Sequence, residues 1–124
     1  MTKVVVIVDD TDSVASSLAI AFENIPGVEP VITHHPMAAL RLFKAPNSQI
    51  AAVVTDLNLP HLDGFELIRE IRNLEHYHNL PAIMITADEH AADTARSKQS
   101  VPNAIFRKPC SMKEVCRALE ELLQ

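Results

Sequence analysis

A chain of 124 residues with 48% hydrophobic side chains is long enough for one domain with a buried core. Its net charge of −5, with no run of Lys or Arg, argues against a nucleic-acid surface. Cys110 and Cys116 match no zinc or redox spacing, and the apolar run Val4–Val8 is too short for a signal-peptide core or a membrane span; a reduced, soluble, cytoplasmic chain is expected.

Met1-Thr2-Lys3 leads straight into Val4-Val5-Val6-Ile7-Val8, which is β-branched, uncharged and stopped by Asp9-Asp10. This reads as a buried strand over Lys3–Val8. Val14, Leu18, Phe22 and Ile25 then recur at helical spacing behind a cap at Asp12 or Ser13. Pro26-Gly27 turns the chain into a second strand, Val28–Thr33. Pro36 opens a second helix with Ala39, Leu40 and Phe43 on one face. After Pro46-Asn47 comes a third strand, Ala51–Asp56, and the turn Leu59-Pro60-His61-Leu62-Asp63-Gly64. Gly64 opens a third helix carrying Leu67, Ile68 and Ile71, followed by a fourth strand, Ala82–Thr86. The fourth helix, about His90 to Ser100, offers only Ala91, Ala92 and Ala95 to a core. A fifth strand, Ala104–Arg107, precedes a helix lined by Met112, Val115, Leu119 and Leu122. Such alternation implies a parallel sheet with helices on both faces. No linker or repeat divides the chain, so a single domain over residues 1–124 without an output domain is expected.

Parallel strands carry ligand chemistry at their carboxyl ends. Here those ends hold Asp9, Asp10, Asp56, Thr86 and Lys108. Three carboxylates in one place repel each other unless a cation sits among them. Mg²⁺ prefers oxygen ligands and keeps several waters, so Asp10 and Asp56 can bind it directly and Asp9 through water. Mn²⁺ suits the same donors. A cation would also let a carboxylate attack an anionic phosphoryl group; Lys108 and Thr86 could then partner the phosphoryl oxygens.

The motifs Val8-Asp9-Asp10, Asp56-Leu57-Asn58-Leu59-Pro60-His61-Leu62-Asp63-Gly64, Thr86-Ala87 and Lys108-Pro109 stand in order, each at a strand end. Together they resemble the CheY-like receiver domain of two-component response regulators, over essentially the whole chain. The resemblance implies a doubly wound, flavodoxin-like α/β sheet in the order 2-1-3-4-5. It implies a phosphorylation-dependent signalling switch, with Asp56 as phosphoacceptor and the backbone carbonyl of Asn58 as a further metal ligand. It also implies a cis bond at Lys108-Pro109. The phosphoryl donor would be a phosphohistidine on a histidine kinase or phosphotransfer protein. The downstream partner would be a protein docking on the face of the fourth helix, fifth strand and fifth helix, with no direct nucleic acid and no membrane. The chain would catalyse only its own phosphoryl transfer and dephosphorylation.

Two departures from the receiver pattern stand out. Receivers carry Tyr or Phe three residues before the Lys; Ile105 stands there, and Phe106 next to it should face the other side of the sheet. The usual Gly-Ala before the fifth strand is replaced by Val101-Pro102-Asn103-Ala104, so that turn needs another construction. The signal is then expected chiefly as ordering of Ala87–Ser100. His34, His35, His76 and His78 read as solvated surface residues, with His34 and His35 diverging. Cys116 reads as a small buried apolar group and Cys110 as partly exposed. A haloacid-dehalogenase-type phosphatase would need a cap that the chain is too short to offer, although Asp10 and Asp12 nominally match its Asp-x-Asp. A flavodoxin-like electron carrier is disfavoured by the acidic Thr11-Asp12-Ser13 segment, and a phosphorylation-independent pseudo-receiver by the complete acidic set.

Overall fold

A computed structural model describes residues 2–98 and 101–124. Its elements are β1 (Lys3–Val8), α1 (Asp12–Glu23), β2 (Val28–Thr33), α2 (Pro36–Lys44), β3 (Ile50–Thr55), α3 (Gly64–Arg72), β4 (Ala82–Thr86), α4 (Ala91–Ala95), β5 (Ala104–Arg107) and α5 (Met112–Leu123). All strand pairs are parallel, in the order β2-β1-β3-β4-β5. The expected doubly wound sheet is therefore present. Its switch point lies between β1 and β3, where the chain leaves β1 for one side of the sheet and returns on the other.

Period-two alternation assigns each strand residue to one of two cores. Val6, Val8, Val53 and Met84 pack with α2 and α3 through Leu40, Phe43, Leu67, Ile68 and Ile71. Val5, Ile7, Val54 and Ile85 pack with α1 and α5 through Leu18, Phe22, Val115 and Leu119. Each such fully buried side chain stabilises the fold by about 1.5–3 kcal/mol. Ile105 joins the first core and Phe106 the second, so Phe106 does face away from its neighbour, as alternation requires.

Several boundaries differ from the sequence reading. β3 begins at Ile50 and ends at Thr55, leaving Asp56 just beyond the strand. The N-cap of α1 is Thr11, not Asp12 or Ser13. The Asp9 carboxylate accepts the Thr11 backbone N–H, while Asp12 lies in the first turn and faces His34. Ile25 lies past the end of α1 yet stays buried. The largest difference is α4, which closes at Ala95; Gln99 and Ser100 of the expected helix lie outside the described residues. After Ala95 the bonds tighten to i→i−3, with Arg96, Ser97 and Lys98 donating to Asp93, Thr94 and Ala95. Only Ala91 of this helix is fully buried, so little packing energy opposes that unwinding.

The turn into β5 is built by a side chain. The Asn103 amide oxygen accepts the backbone N–H of Ala82 (2.9 Å), and the Asn103 N–H donates to the Ala82 carbonyl (2.7 Å). Arg72, in the last turn of α3, donates to the same amide oxygen (3.0 Å), to the Leu80 carbonyl (2.9 and 3.1 Å) and to the Val101 carbonyl. Burial pushes the Arg72 guanidinium below its ordinary value. An Asn103→Ala substitution leaves the N–H of fully buried Ala82 without its acceptor. It is expected to lower unfolding free energy by about 1–3 kcal/mol, read as a shift in the urea midpoint at unchanged slope.

An acidic site at the carboxyl ends of the central strands

Asp9 and Asp56 follow β1 and β3, and the Asp56 N–H donates to the Val8 carbonyl (2.9 Å), tying the two strand ends together. Asp9 is 1% and Asp56 8% exposed, whereas Asp10 is exposed. Carboxylate oxygens of Asp9, Asp10 and Asp56 lie within 4.8 Å of one another.

Each buried carboxylate has fixed partners. One oxygen of Asp9 accepts the Thr11 N–H (2.9 Å), the other the Lys108 ammonium (3.0 Å). Asp56 Oδ1 accepts N–H groups of Leu57 (2.7 Å) and Asn58 (3.4 Å), and its Oδ2 accepts Lys108 (3.2 Å). Lys108 follows β5 and precedes a cis peptide bond to Pro109. Burial alone lowers the Lys108 ammonium; the hydrogen bond and charge of Asp9 and those of Asp56 outweigh it, and the net shift is upward.

Thr86 ends β4 and is fully buried. Its hydroxyl oxygen accepts the Asp88 N–H (3.1 Å) and its carbonyl accepts the Lys108 backbone N–H (2.8 Å), but among the described residues the hydroxyl makes no hydrogen bond to Asp56, Asp9 or Lys108. The structure thus gathers Asp9, Asp10, Asp56 and Lys108 into one contact cluster, with the Thr86 hydroxyl bonded into its own loop.

Sequence reasoning missed three supports. His35 is the N-cap of α2, its Nδ1 accepting the Met37 N–H (3.1 Å), and its ring lies 5.1 Å from that of His61. His34 Nδ1 lies 2.9 Å from the Asp9 carbonyl and its Nε2 3.2 Å from Asp12. Neither is simply a solvated histidine, although the two do diverge, as alternation requires. Asp63 and Glu66 form a reciprocal capping box at the start of α3, a pattern visible in the Asp-x-x-Glu spacing. Cys110 and Cys116 are free and half-buried; burial pushes both thiols up, against a reactive role.

The donor set fits a hard divalent cation. At an effective dielectric near 20, two carboxylate charges 4.8 Å apart repel by about 3–4 kcal/mol. One ammonium against three carboxylates leaves two formal negative charges uncompensated, and every donor is oxygen. Lys108 therefore does more than the sequence suggests, because its single charge already bridges Asp9 and Asp56. Lys108→Met is expected to melt lower than wild type without metal, losing about 1.5–3 kcal/mol, and to gain more stability from added Mg²⁺. The folded-state value of Lys108 lies above the ordinary 10.5. Its contribution is thus complete below that value and lost as pH rises through the folded-state value. Thermal melts of both chains at neutral and strongly alkaline pH, with and without Mg²⁺, check this; equal metal-free melting would contradict it.

A five-stranded 2-1-3-4-5 sheet with three clustered carboxylates at its switch point and a lysine laid across two of them is the arrangement of a receiver-type signalling domain. The chain belongs to the response regulator receiver domain family, whose pattern it matches over residues 5–120. It is 23% identical to a "Chemotaxis protein CheY homolog" of Campylobacter jejuni, over 94% of this chain and 89% of that protein. It is 33% identical over 85% of its length to a segment comprising 15% of the "CAI-1 autoinducer sensor kinase/phosphatase CqsS" of Vibrio cholerae. Among solved structures, a CheY-like receiver domain protein from Methanospirillum hungatei superposes with a TM-score of 0.85 at 23% identity, covering 99% of this chain and 94% of that one. The chemotaxis response regulator CheY4 of Vibrio cholerae gives 0.84 at 22%, covering 99% and 100%. These structural likenesses establish the shared fold. No helix among the described residues is long and apolar enough to cross a membrane.

Proposed function

We propose that this receiver domain is a phosphorylation-controlled interaction switch that accepts a phosphoryl group on Asp56. The observation that carries the reading is the cluster itself, three carboxylates within 4.8 Å with Lys108 bridging Asp9 and Asp56. The donor is a phosphohistidine of a histidine kinase or phosphotransfer protein. Its P–N bond breaks, a P–O bond forms to an Asp56 carboxylate oxygen, and the imidazole leaves with the electron pair. Mg²⁺ or Mn²⁺, held by Asp10, Asp56 and the Asn58 carbonyl with Asp9 through water, would supply the charge neutralisation that lets two anions meet.

The residues of the chain do the rest. The Leu57 and Asn58 N–H groups orient the Asp56 carboxylate. Lys108 has an ammonium within reach of any group added to Asp56 Oδ2. The Thr86 hydroxyl accepts from Asp88 and, among the described residues, donates to none, so its proton can turn toward a phosphoryl oxygen. That bond would bias the segment after β4, where α4 holds the core by little more than Ala91. The signal then passes to a downstream protein on the α4-β5-α5 face. The domain is cytoplasmic and turns over no diffusing metabolite.

The test is transfer of labelled phosphate from a phosphorylated histidine kinase or phosphotransfer domain, with Mg²⁺ and with a chelator present. Metal-dependent label on this chain supports the reading. Catalytic turnover of p-nitrophenyl phosphate without stable label would replace it with a phosphatase.

A further inference from the structure

We propose that His34 is a positioning residue for the metal site, clamping the Asp9–Asp10 peptide so that the Asp10 carboxylate stands beside those of Asp9 and Asp56. The inference rests on the metal-site reading above and extends it to a residue outside the carboxylate set.

The argument begins with Asp10. The side chains of Asp9 and Asp56 are each held by backbone N–H groups and by Lys108. Among the described residues no hydrogen bond or ion pair holds the Asp10 side chain. Asp10 is also exposed, so packing does not fix it either. Its place in the cluster is therefore set by its backbone, and the peptide unit entering Asp10 begins at the Asp9 carbonyl. Asp9 is held from β2 and the residue that follows it. Thr33 accepts the Asp9 N–H (3.2 Å), and the next residue, His34, presents its Nδ1 to the Asp9 carbonyl at 2.9 Å. A carbonyl only accepts, so Nδ1 carries the proton and donates. The other ring nitrogen faces the Asp12 carboxylate at 3.2 Å, in the first turn of α1. The Nδ1 bond thus holds the loop between β1 and α1 immediately before Asp10, and the ring stands beside Asp12 just after it. His34 touches neither Asp56 nor Lys108 among the described contacts, so its effect falls on metal affinity rather than on the transfer step.

The test compares His34→Leu, which removes the donor, with His34→Asn, whose amide nitrogen sits near the position of Nδ1. Mg²⁺ affinity is measured by calorimetry, and phosphorylation by acetyl phosphate at saturating Mg²⁺ is followed by intact mass. His34→Leu is expected to weaken Mg²⁺ binding about threefold to tenfold, the equivalent of one lost hydrogen bond. His34→Asn should stay within about twofold of wild type, and the rate at saturating metal should be unchanged in both. Unchanged affinity in His34→Leu, or equal weakening in both variants, would overturn the proposal. So would tighter binding in His34→Leu, the result if the ring acted only as a competing positive charge. The His34 side chain is 51% exposed, so both variants should fold; should His34→Leu not fold, His34→Ser replaces it in the same comparison. A wild-type chain that binds no Mg²⁺ removes both the metal site and the His34 role. Wild-type binding with indifferent variants removes the His34 role alone.

Discussion

Asp56→Asn is expected to gain no mass from acetyl phosphate and Mg²⁺ under conditions in which the wild-type chain gains one phosphoryl group. An amide oxygen carries no negative charge and is not a nucleophile toward phosphorus, so the loss should be complete rather than graded. The substitution is nearly isosteric, and the Leu57 N–H can still donate to the amide oxygen as it does to Oδ1. The fold should survive, because removing one of three clustered carboxylates relieves about 3–4 kcal/mol of repulsion per pair while giving up one contact to Lys108. Its metal-free melting temperature is therefore expected to match or exceed that of wild type, which separates lost chemistry from lost structure. Equal phosphate gain in the two chains would place the acceptor elsewhere.

The second large effect is expected at Gly64, the first residue of α3. A Cβ there would lie 2.4 Å from the Asp56 carbonyl oxygen, 2.9 Å from the Met84 methyl and 3.0 Å from Leu57 Cα. Met84 can rotate away, but the other two atoms belong to the backbone at the end of β3, and the Gly64 N–H is itself bonded to the Leu57 carbonyl (2.8 Å). Gly64→Ala must therefore push α3 and the Asp56 backbone apart. The cost is about 1–3 kcal/mol, the range for overpacking, and toward its upper end because backbone has to move. At roughly 4 °C per kcal/mol for a chain of this size, the melting temperature should fall by about 4–12 °C. Because the displaced carbonyl is that of Asp56, Mg²⁺ binding should weaken as well. An unchanged melting temperature would show that the helix start relaxes freely.

Much of the fold was legible because its signals are local. Runs such as Val4–Val8 and Ile83–Ile85 are β-branched or apolar and end at polar residues, and the helices between them repeat their apolar residues at three and four. The weak fourth helix was legible in kind but not in length. Its alanines predict little burial, yet where it would unwind depended on competition between i→i−4 and i→i−3 bonds with almost no packing to favour either. The identical side chains of Asp9 and Asp10 show the same limit within the site: one is 1% exposed and bonded to Lys108, the other is exposed and holds no partner among the described residues.

By itself, then, the sequence determined the α/β class, the faces of the sheet and the set of carboxylates with Lys108. Each of these follows from residue type and short-range periodicity, which survive without knowledge of neighbours. The tertiary structure alone decided which groups meet. Lys108 reaches Asp9 across 99 residues, Asn103 reaches Ala82 across 21, and His34 reaches Asp9 across 25. Such contacts depend on the relative placement of whole elements, and a hydrogen bond forms only within a few tenths of an ångström of its proper distance, a precision no composition or period encodes.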